Sequence, residues 1–490
     1  MLQEQTVWII VVEILYLLLL GFTCLRIVFD TRSVSKTLAY LLFAVFVPIV
    51  GVVFYFSFGI NYRKRKIYDK KLNVDENFKK EINELLKAHD LEEAIHNDTV
   101  LVRFERLIKL LANKKSGGAF LLPNSNIRLL FNGENKFSEL IKDLQQAKHH
   151  IHIEYYIYEN DRIGNTIKEI LKAKAKEGVK VRVIYDDFGS KGIRRNIARE
   201  LNESGVEAFP FNKIKLLLLA NRLNYRNHRK IVIVDGIIAF TGGINISDKY
   251  INDESQTIFW RDTHVRINGA GVFALQQIFI SDWNFCSGQR LRVAGNNYFP
   301  FKNMETYGNA KLQVVSSGPD SDRPNILFAI LKAIQTAKSE ILLTTPYYIP
   351  DESLQQTLVM TALSGVEVKL LVPKEGDSKL VDSVSRIYFE ELLQAGVKIY
   401  LYEKGFIHAK TLVIDGMLAS VGTANFDLRS FDLNFEVAAL IYDKEIAEQL
   451  KNAFYDDLKQ TKQLFYTSWV KRSLGRKFLE QVLRLISPFM

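Results

Sequence analysis

Cysteine is almost missing. The 490 residues hold two, Cys24 and Cys286, far apart in the chain. They build neither a disulfide framework nor a cysteine metal site, and no other metal motif is present, so neither metal nor cofactor is expected. Acids are also in short supply, 55 Asp and Glu against 65 Lys and Arg, giving a formal net charge of +10 and a pI near 9.2. A basic balance suits nucleic acid, an anionic membrane surface or phosphate-bearing substrates. The N-terminus lacks the basic start of a signal peptide, and no small-residue cleavage site follows. Apolar residues are plentiful, with 48% hydrophobic and 12% aromatic content. That excludes a disordered chain, and the length fits two lobes with additions better than one core.

Two stretches are apolar enough for lipid. Residues 7–25 carry one charge, Glu13, and residues 38–58 carry none. Each can cross a hydrocarbon layer of about 30 Å, so residues 1–60 are expected to form a transmembrane helical hairpin. The loop between them has Arg26, Arg32 and Lys36 against Asp30. The segment after them has Arg63, Lys64, Arg65, Lys66, Lys70 and Lys71 against Asp69. The larger positive excess marks the cytoplasmic side, which puts the rest of the chain and the N-terminus there. The cluster at 63–71 also suits anionic headgroups. Residues 61–115 read as a basic juxtamembrane and helical linker.

From residue 116 strands and helices alternate, and the order repeats. A helix over 137–148, a strand over 151–158, a helix near 164–177 and a strand over 179–185 are followed later by 325–338, 341–345, 354–364 and 366–372 in the same sequence of types. Tyr155-Tyr156 is echoed by Tyr347-Tyr348, and Gly178-Val-Lys-Val181 by Gly365-Val-Glu-Val368. The fold class is α/β, with two tandem lobes at 116–300 and 301–465 from one duplication. Residues 466–490 read as a basic amphipathic C-terminal helix, lying at a membrane interface or docked on the second lobe.

The repeat extends to the chemistry. His228-Arg-Lys230, four residues, Asp235-Gly236, then Gly242-Gly243-Ile-Asn245 recurs as His408-Ala-Lys410, four residues, Asp415-Gly416, then Gly422-Thr423-Ala-Asn425. Residues two apart in a strand share a face, so His228 lies beside Lys230 and His408 beside Lys410. Asp-Gly is a hairpin-turn signature, which gives Asp235 and Asp415 a structural reading. A tight turn would bring Gly243 opposite His228 and Thr423 opposite His408, with Asn245 and Asn425 one step beyond. Imidazole, ammonium, amide and small residues at one hairpin end suit a phosphate. A catalytic histidine needs a carboxylate to orient it. Asp262 stands after the first hairpin and Glu436 after the second, so each is expected to serve the histidine of its own half. His149 adjoins His150, His152 and Glu154, which share one strand face and could bind metal; polar lining or ordinary strand residues is the simpler reading, with a substrate contact from Glu154 or His152 the alternative.

The paired His-x-Lys-x4-Asp pattern resembles the phospholipase D superfamily, and within it the bacterial cardiolipin synthases. Further carriers are the two apolar segments, Phe58-Gly-Ile-Asn61-Tyr-Arg-Lys-Arg-Lys66, Asn227-His-Arg-Lys230, Trp260-Arg-Asp-Thr-His264, Ser316-Ser-Gly-Pro-Asp320 and Asn434-Phe-Glu436-Val. One departure is Gly243, where many members have Ser. The resemblance implies two α-β-α sandwich lobes sharing one active site at a pseudo-dyad, and it keeps Asp235 and Asp415 in the site motif. It implies phosphatidyl transfer between two phosphatidylglycerols through a phosphohistidine. His228 is the nucleophile by the superfamily's behaviour and His408 the acid/base, with Lys230, Lys410, Asn245 and Asn425 stabilising phosphoryl charge. Phosphatidylglycerol and anionic membrane lipids are the expected partners at a bacterial cell membrane. A nuclease is disfavoured by the apolar segments, and no nucleic acid is expected. Remaining alternatives are a phospholipase D hydrolase, a phosphatidylserine synthase, and a non-enzymatic membrane-anchored binder of anionic lipid.

Overall fold

The structure, a computed structural model, describes residues 2–31, 34–47, 49–59, 95–211, 225–254, 256–291, 298–300 and 307–484. The basic cluster at 63–71, part of the expected lobe boundary and residues 485–490 lie outside the described residues.

The first lobe contributes strands β1 (Leu122–Phe131), β2 (His150–Tyr155), β3 (Lys180–Asp186), β4 (Glu207–Phe211), β5 (Lys230–Val234), β6 (Ile238–Gly242), β7 (Phe259–Arg261) and β8 (Thr263–Asn268). The second contributes β9 (Ala310–Ser317), β10 (Glu340–Thr344), β11 (Tyr348–Ile349), β12 (Glu367–Pro373), β13 (Lys398–Tyr402), β14 (Gly405–Ile407), β15 (Thr411–Ile414), β16 (Leu418–Gly422), β17 (Phe426–Asp427), β18 (Glu436–Tyr442) and β19 (Thr461–Leu464). Fifteen of them make one sheet, ordered β19-β13-β12-β10-β15-β16-β18-β9-β1-β8-β6-β5-β2-β3-β4. Read outward from the centre, β1-β8-β6-β5-β2-β3-β4 matches β9-β18-β16-β15-β10-β12-β13. The duplication is therefore a two-fold, and the lobes fuse edge to edge where β1 pairs with β9 at Leu122↔Leu312 and Ser125↔Ala310. Fusion also removes two sheet edges that would otherwise expose unpaired backbone.

Strand alternation dictates the layers. Val232 and Val234 of β5 join Leu140, Leu144, Ile167 and Leu171 from the helices Asn132–Gln146 and Arg162–Lys176. Ile231 and Ile233 point the other way, into a cluster with Leu275, Phe279 and Trp283 of the helix Val272–Ser287. In the second lobe Leu412 and Ile414 meet the helices Asn325–Ile334 and Glu352–Leu363, while Val413 shares the central cluster with Leu450 and Phe454 of the helix Lys444–Leu458. Each lobe is thus an α-β-α sandwich. Equivalent helices even start alike: Asp161 caps one at Gly164 N (3.0 Å) and Asp351 the other at Leu354 N (2.9 Å). One echo shifts. Tyr158, not Tyr155 or Tyr156, is equivalent to Tyr348, because Tyr158 bridges Ile246 as Tyr348 pairs with Phe426.

At the N-terminus, α1 (Leu2–Asp30) is one helix, and Val7–Asp30 is long and apolar enough to cross a membrane. The second apolar stretch departs from the straight span expected. It is a helix Val34–Phe46 (α2), then a break, then Val50–Phe54 (α3) continuing as a wider turn to Gly59. Ile49 adopts φ 65° at the break, beside Pro48 in sequence, which offers no N–H to a helix. The short helix folds back: Phe54 meets Phe43 at 5.2 Å between ring centroids, and Tyr55 meets Tyr40 at 5.5 Å. Gly51 permits this, since a Cβ there would lie 2.2 Å from the Phe43 carbonyl oxygen.

Candidate active site

Each histidine is fixed first through its backbone, and by the opposite lobe. His228 N donates to Phe435 O (3.0 Å), and His408 N donates to Arg261 O (2.7 Å). Short inter-lobe pairings surround both contacts. β14 runs parallel to β7, with Ile407↔Arg261, and Asn227 bridges Phe435. Thus the segment leading into each histidine lies against the segment leading into the other lobe's carboxylate.

The consequence corrects the expected pairing. His228 Nδ1 bonds Glu436, at 2.9 Å to Oε1 and 3.0 Å to Oε2, and His408 Nδ1 bonds Asp262 Oδ2 at 2.7 Å. Asp262 does not serve His228, nor Glu436 His408; the acids are exchanged between lobes. Both carboxylates are fully buried. A carboxylate only accepts, so Nδ1 of each neutral ring carries the hydrogen and Nε2 keeps a lone pair. Tyr156 packs against the His228 ring at 4.9 Å, and Trp260 and Phe406 hold His408 at 5.2 and 5.7 Å.

Lys230 Nζ donates to His228 O (2.8 Å), and Lys410 Nζ donates to His408 O. Lys410 Nζ also lies 3.0 Å from His408 Nδ1, whose hydrogen already serves Asp262. Burial lowers Lys230 to about 7, with Glu436 opposing and Lys410 adding to the fall; burial lowers Lys410 to about 8 against the pull of Asp262 and Glu436. Burial and then Lys410 lower His408 to about 3, and burial lowers His228 against the opposing Glu436. Burial pushes both acids up, yet Lys410 and His408 hold Asp262 below its usual value, and His228 and Lys230 do the same for Glu436. The resting site has neutral imidazoles, ionised carboxylates and two lysines near their titration points.

The hairpins are one residue longer than the tight form. Asp235 and Gly236 take positive φ (56° and 69°), and the register is Ile231↔Thr241 and Val234↔Ile238, which leaves Ile237 unpaired. Extended, that register does not set Gly243 opposite His228, and Thr411↔Val421 likewise does not set Thr423 opposite His408. Instead Gly243 makes room for Asp262, since a Cβ would lie 2.0 Å from its Oδ1. Thr423 donates its hydroxyl to Glu436 Oε2. Both small residues thus serve the carboxylates.

Asp235 and Asp415, kept in the site motif by resemblance, stand at the far hairpin end, about 23 Å along the strand from their histidines. Asp235 accepts from the backbone N–H of Lys148, His149 and His150, at 2.9, 2.7 and 2.9 Å. Asp415 accepts from Lys338, Ser339 and Glu340, each at 2.8 Å, and pairs with Arg103. They pin a helix-to-strand connection. Asn245 is engaged as well: Oδ1 accepts from Ile157 N (3.2 Å) and Nδ2 donates to Tyr250 OH (2.9 Å). Asn425 Nδ2 donates to Asp427 (3.2 Å). Each amide keeps one N–H for a ligand.

Sequence reading missed the supports. Asn434 Nδ2 reaches Glu436 at 3.2 Å. Buried Lys136 donates to Asn245 O (3.2 Å), tying down the loop after β6. Arg229, inside the first His-x-Lys, pairs with buried Asp282, and Asn227 donates to Glu154. A polar x residue in that otherwise apolar strand was the one available signal. His150 and His152 bond Gln276 at 3.0 and 2.8 Å, as ordinary satisfied core groups. Among the described residues no group of three or more potential ligands is arranged for a metal.

Comparison with known proteins agrees with this geometry. The family described as "Cardiolipin synthase, PLD-like domain" matches residues 140–283 and 330–458, and "Phospholipase_D-nuclease N-terminal" matches residues 17–59. A cardiolipin synthase of Listeria welshimeri is 40% identical over 481 residues, 97% of this chain and 98% of that protein. Cardiolipin synthase 1 of Bacillus anthracis is 39% identical over 467 residues, 94% of this chain and 90% of that protein. The crystal structure of phosphatidylserine synthase from Haemophilus influenzae superposes with a TM-score of 0.59 at 15% identity, covering 79% of this chain and all of that one, a likeness of fold.

Proposed function

The chain belongs to the bacterial cardiolipin synthases of the phospholipase D superfamily, and we propose how its two histidines divide the work. It is a phosphatidyltransferase that joins two phosphatidylglycerols into cardiolipin and releases glycerol. The observation that carries a reaction shared between the lobes is the crossed pair, His228 with Glu436 and His408 with Asp262. It favours one site built from both halves.

His228 Nε2 attacks phosphorus, a P–N bond forms, and the bond to the glycerol oxygen breaks. His408, which takes up a proton at Nε2 from solvent as the substrate's negative charge arrives, gives that proton to the glycerol oxygen. It then takes the proton of the incoming phosphatidylglycerol hydroxyl, whose oxygen displaces His228. His408 rests neutral because of burial and Lys410. The phosphodiester's negative charge, arriving beside both lysines, offsets their field and raises its proton affinity. Lys230, Lys410 and the remaining Asn245 and Asn425 N–H groups stabilise phosphoryl oxygens. Glu436 grips His228 with both oxygens and is itself held by Thr423 and Asn434, which favours His228 as the more rigidly aimed nucleophile.

The apolar α1, exposed along most of its length, associates the chain with membrane. The apolar composition of residues 38–58 supports a second membrane-embedded segment in its folded-back form, and the basic run at 63–71 favours lobes on the cytoplasmic side. Labelled phosphatidylglycerol in micelles with purified protein is expected to yield cardiolipin and glycerol, with acid-labile phosphate trapped on His228 and none in His228→Ala. Accumulation of phosphatidic acid would establish a hydrolase, and label on His408 would reverse the roles.

A further inference from the structure

The helix Leu474–Arg484 is attached to the second lobe the wrong way round for a core helix. An amphipathic helix in a globular protein buries its apolar stripe. Here Glu480 is buried, at 6% exposure, and accepts from Arg472 Nη1 at 2.7 and 2.8 Å. Arg472 also reaches Glu390 at 3.4 Å and lies 3.7 Å over the ring of Trp469, which packs on Phe389. The polar edge is therefore the docked edge. At about 100° per residue, Leu474, Phe478 and Val482 share one stripe, with Leu479 beside it and Glu480 opposite. Leu474 and Phe478 are 85% and 73% exposed, and Leu479 and Val482 are exposed with them. Phe465 and Tyr466, just before the helix, are exposed too.

Such a stripe needs a cover, and its charge selects one. Between residues 471 and 484 stand Lys471, Arg472, Arg476, Lys477 and Arg484 against Glu480 alone. Arg472 is neutralised by the docking contacts above. Apolar side chains facing outward with excess positive charge fit the headgroup layer of an anionic bilayer, where insertion buries the stripe and lysines meet lipid phosphates. We infer that Leu474–Arg484 is a second membrane-binding element, distinct from the N-terminal segments, which lays the second lobe on the surface of an anionic bilayer. The helix leaves the lobe by Phe465 and Trp469, far along the chain from α1. The lobes are then held at two places, which limits their tilt over the surface that supplies both substrates.

The test uses the full chain with Cys24→Ser and Cys286→Ser and one nitroxide label, at Phe478→Cys or Ser473→Cys, in phosphatidylglycerol-containing nanodiscs. Expected is a label at Phe478 several-fold less accessible to a water-soluble nickel chelate, and more accessible to oxygen, than a label placed instead at exposed Ser473, on the Glu480 side. The contrast should weaken in pure phosphatidylcholine. Equal chelate access at both positions would overturn the proposal. So would dipolar broadening between labels at Phe478, which would assign the stripe to a second copy of the chain. The readout needs no turnover. Cardiolipin formation measured in the same nanodiscs therefore reports on the proposed chemistry separately.

Discussion

At the scale of single residues, the exchange of carboxylates gives each histidine a distinct genetic signature. Glu436→Gln replaces the charged acceptor of His228 with a neutral amide that can present its N–H and reverse the tautomer, so loss of phosphoenzyme formation by about 10²–10⁴-fold is expected, against complete loss in His228→Ala. Asp262→Asn should leave phosphoenzyme formation measurable and slow its resolution, because its partner is His408. Rapid-quench trapping of labelled phosphate distinguishes them, and the opposite assignment would mean each acid serves its own lobe. The lysines add a pH signature. A lysine binds phosphate only when protonated, and protonation is lost as pH rises through the lowered values of about 7 for Lys230 and about 8 for Lys410. The kcat/KM for phosphatidylglycerol is expected to fall across that window. In Lys410→Arg the upper part of the fall should disappear, since guanidinium stays charged.

At the scale of elements, the hairpin is a device for placing a histidine at one end and a clamp at the other. Asp235 and Asp415 occupy left-handed turn positions that aspartate and asparagine tolerate better than other L-residues. Their carboxylates each close three backbone N–H groups. Asp415→Asn keeps the turn conformation and gives up part of that acceptor set and the Arg103 ion pair. A loss of about 1–3 kcal/mol is expected, read as a lower thermal midpoint with kcat close to that of the parent. A collapse of kcat at unchanged stability would restore Asp415 to the chemistry.

At the scale of the whole molecule, the β1–β9 junction makes one sheet from two lobes, and the site forms where they meet. Both histidines of a site then belong to one chain. Co-expressed His228→Ala and His408→Ala chains are expected to remain inactive together, assayed as cardiolipin formed in membranes. Recovery of activity would mean that lobes pair between chains. The same join explains the small inter-lobe pairings: once β1 and β9 lie side by side, β14 meets β7, Asn227 meets Phe435, and each imidazole is held by the opposite lobe.

The sequence by itself determined the repeated order of strands and helices, because hydrophobic periodicity and Asp-Gly turns are local signals. It marked the candidate site, because two His-x-Lys pairs leading into strands bring an imidazole and an ammonium to one end of each hairpin. It marked α1 by its unbroken apolar length. The tertiary structure alone decided which carboxylate serves which histidine, since that follows from pairing between segments roughly 150 to 210 residues apart. It alone decided that Gly243 yields space to Asp262, that one additional turn residue shifts the hairpin register, and that the second apolar segment folds back on itself. It also decided that the last helix docks by Glu480 and turns its apolar side outward. Each of these depends on distant backbone meeting at a fixed register, which no local spacing encodes.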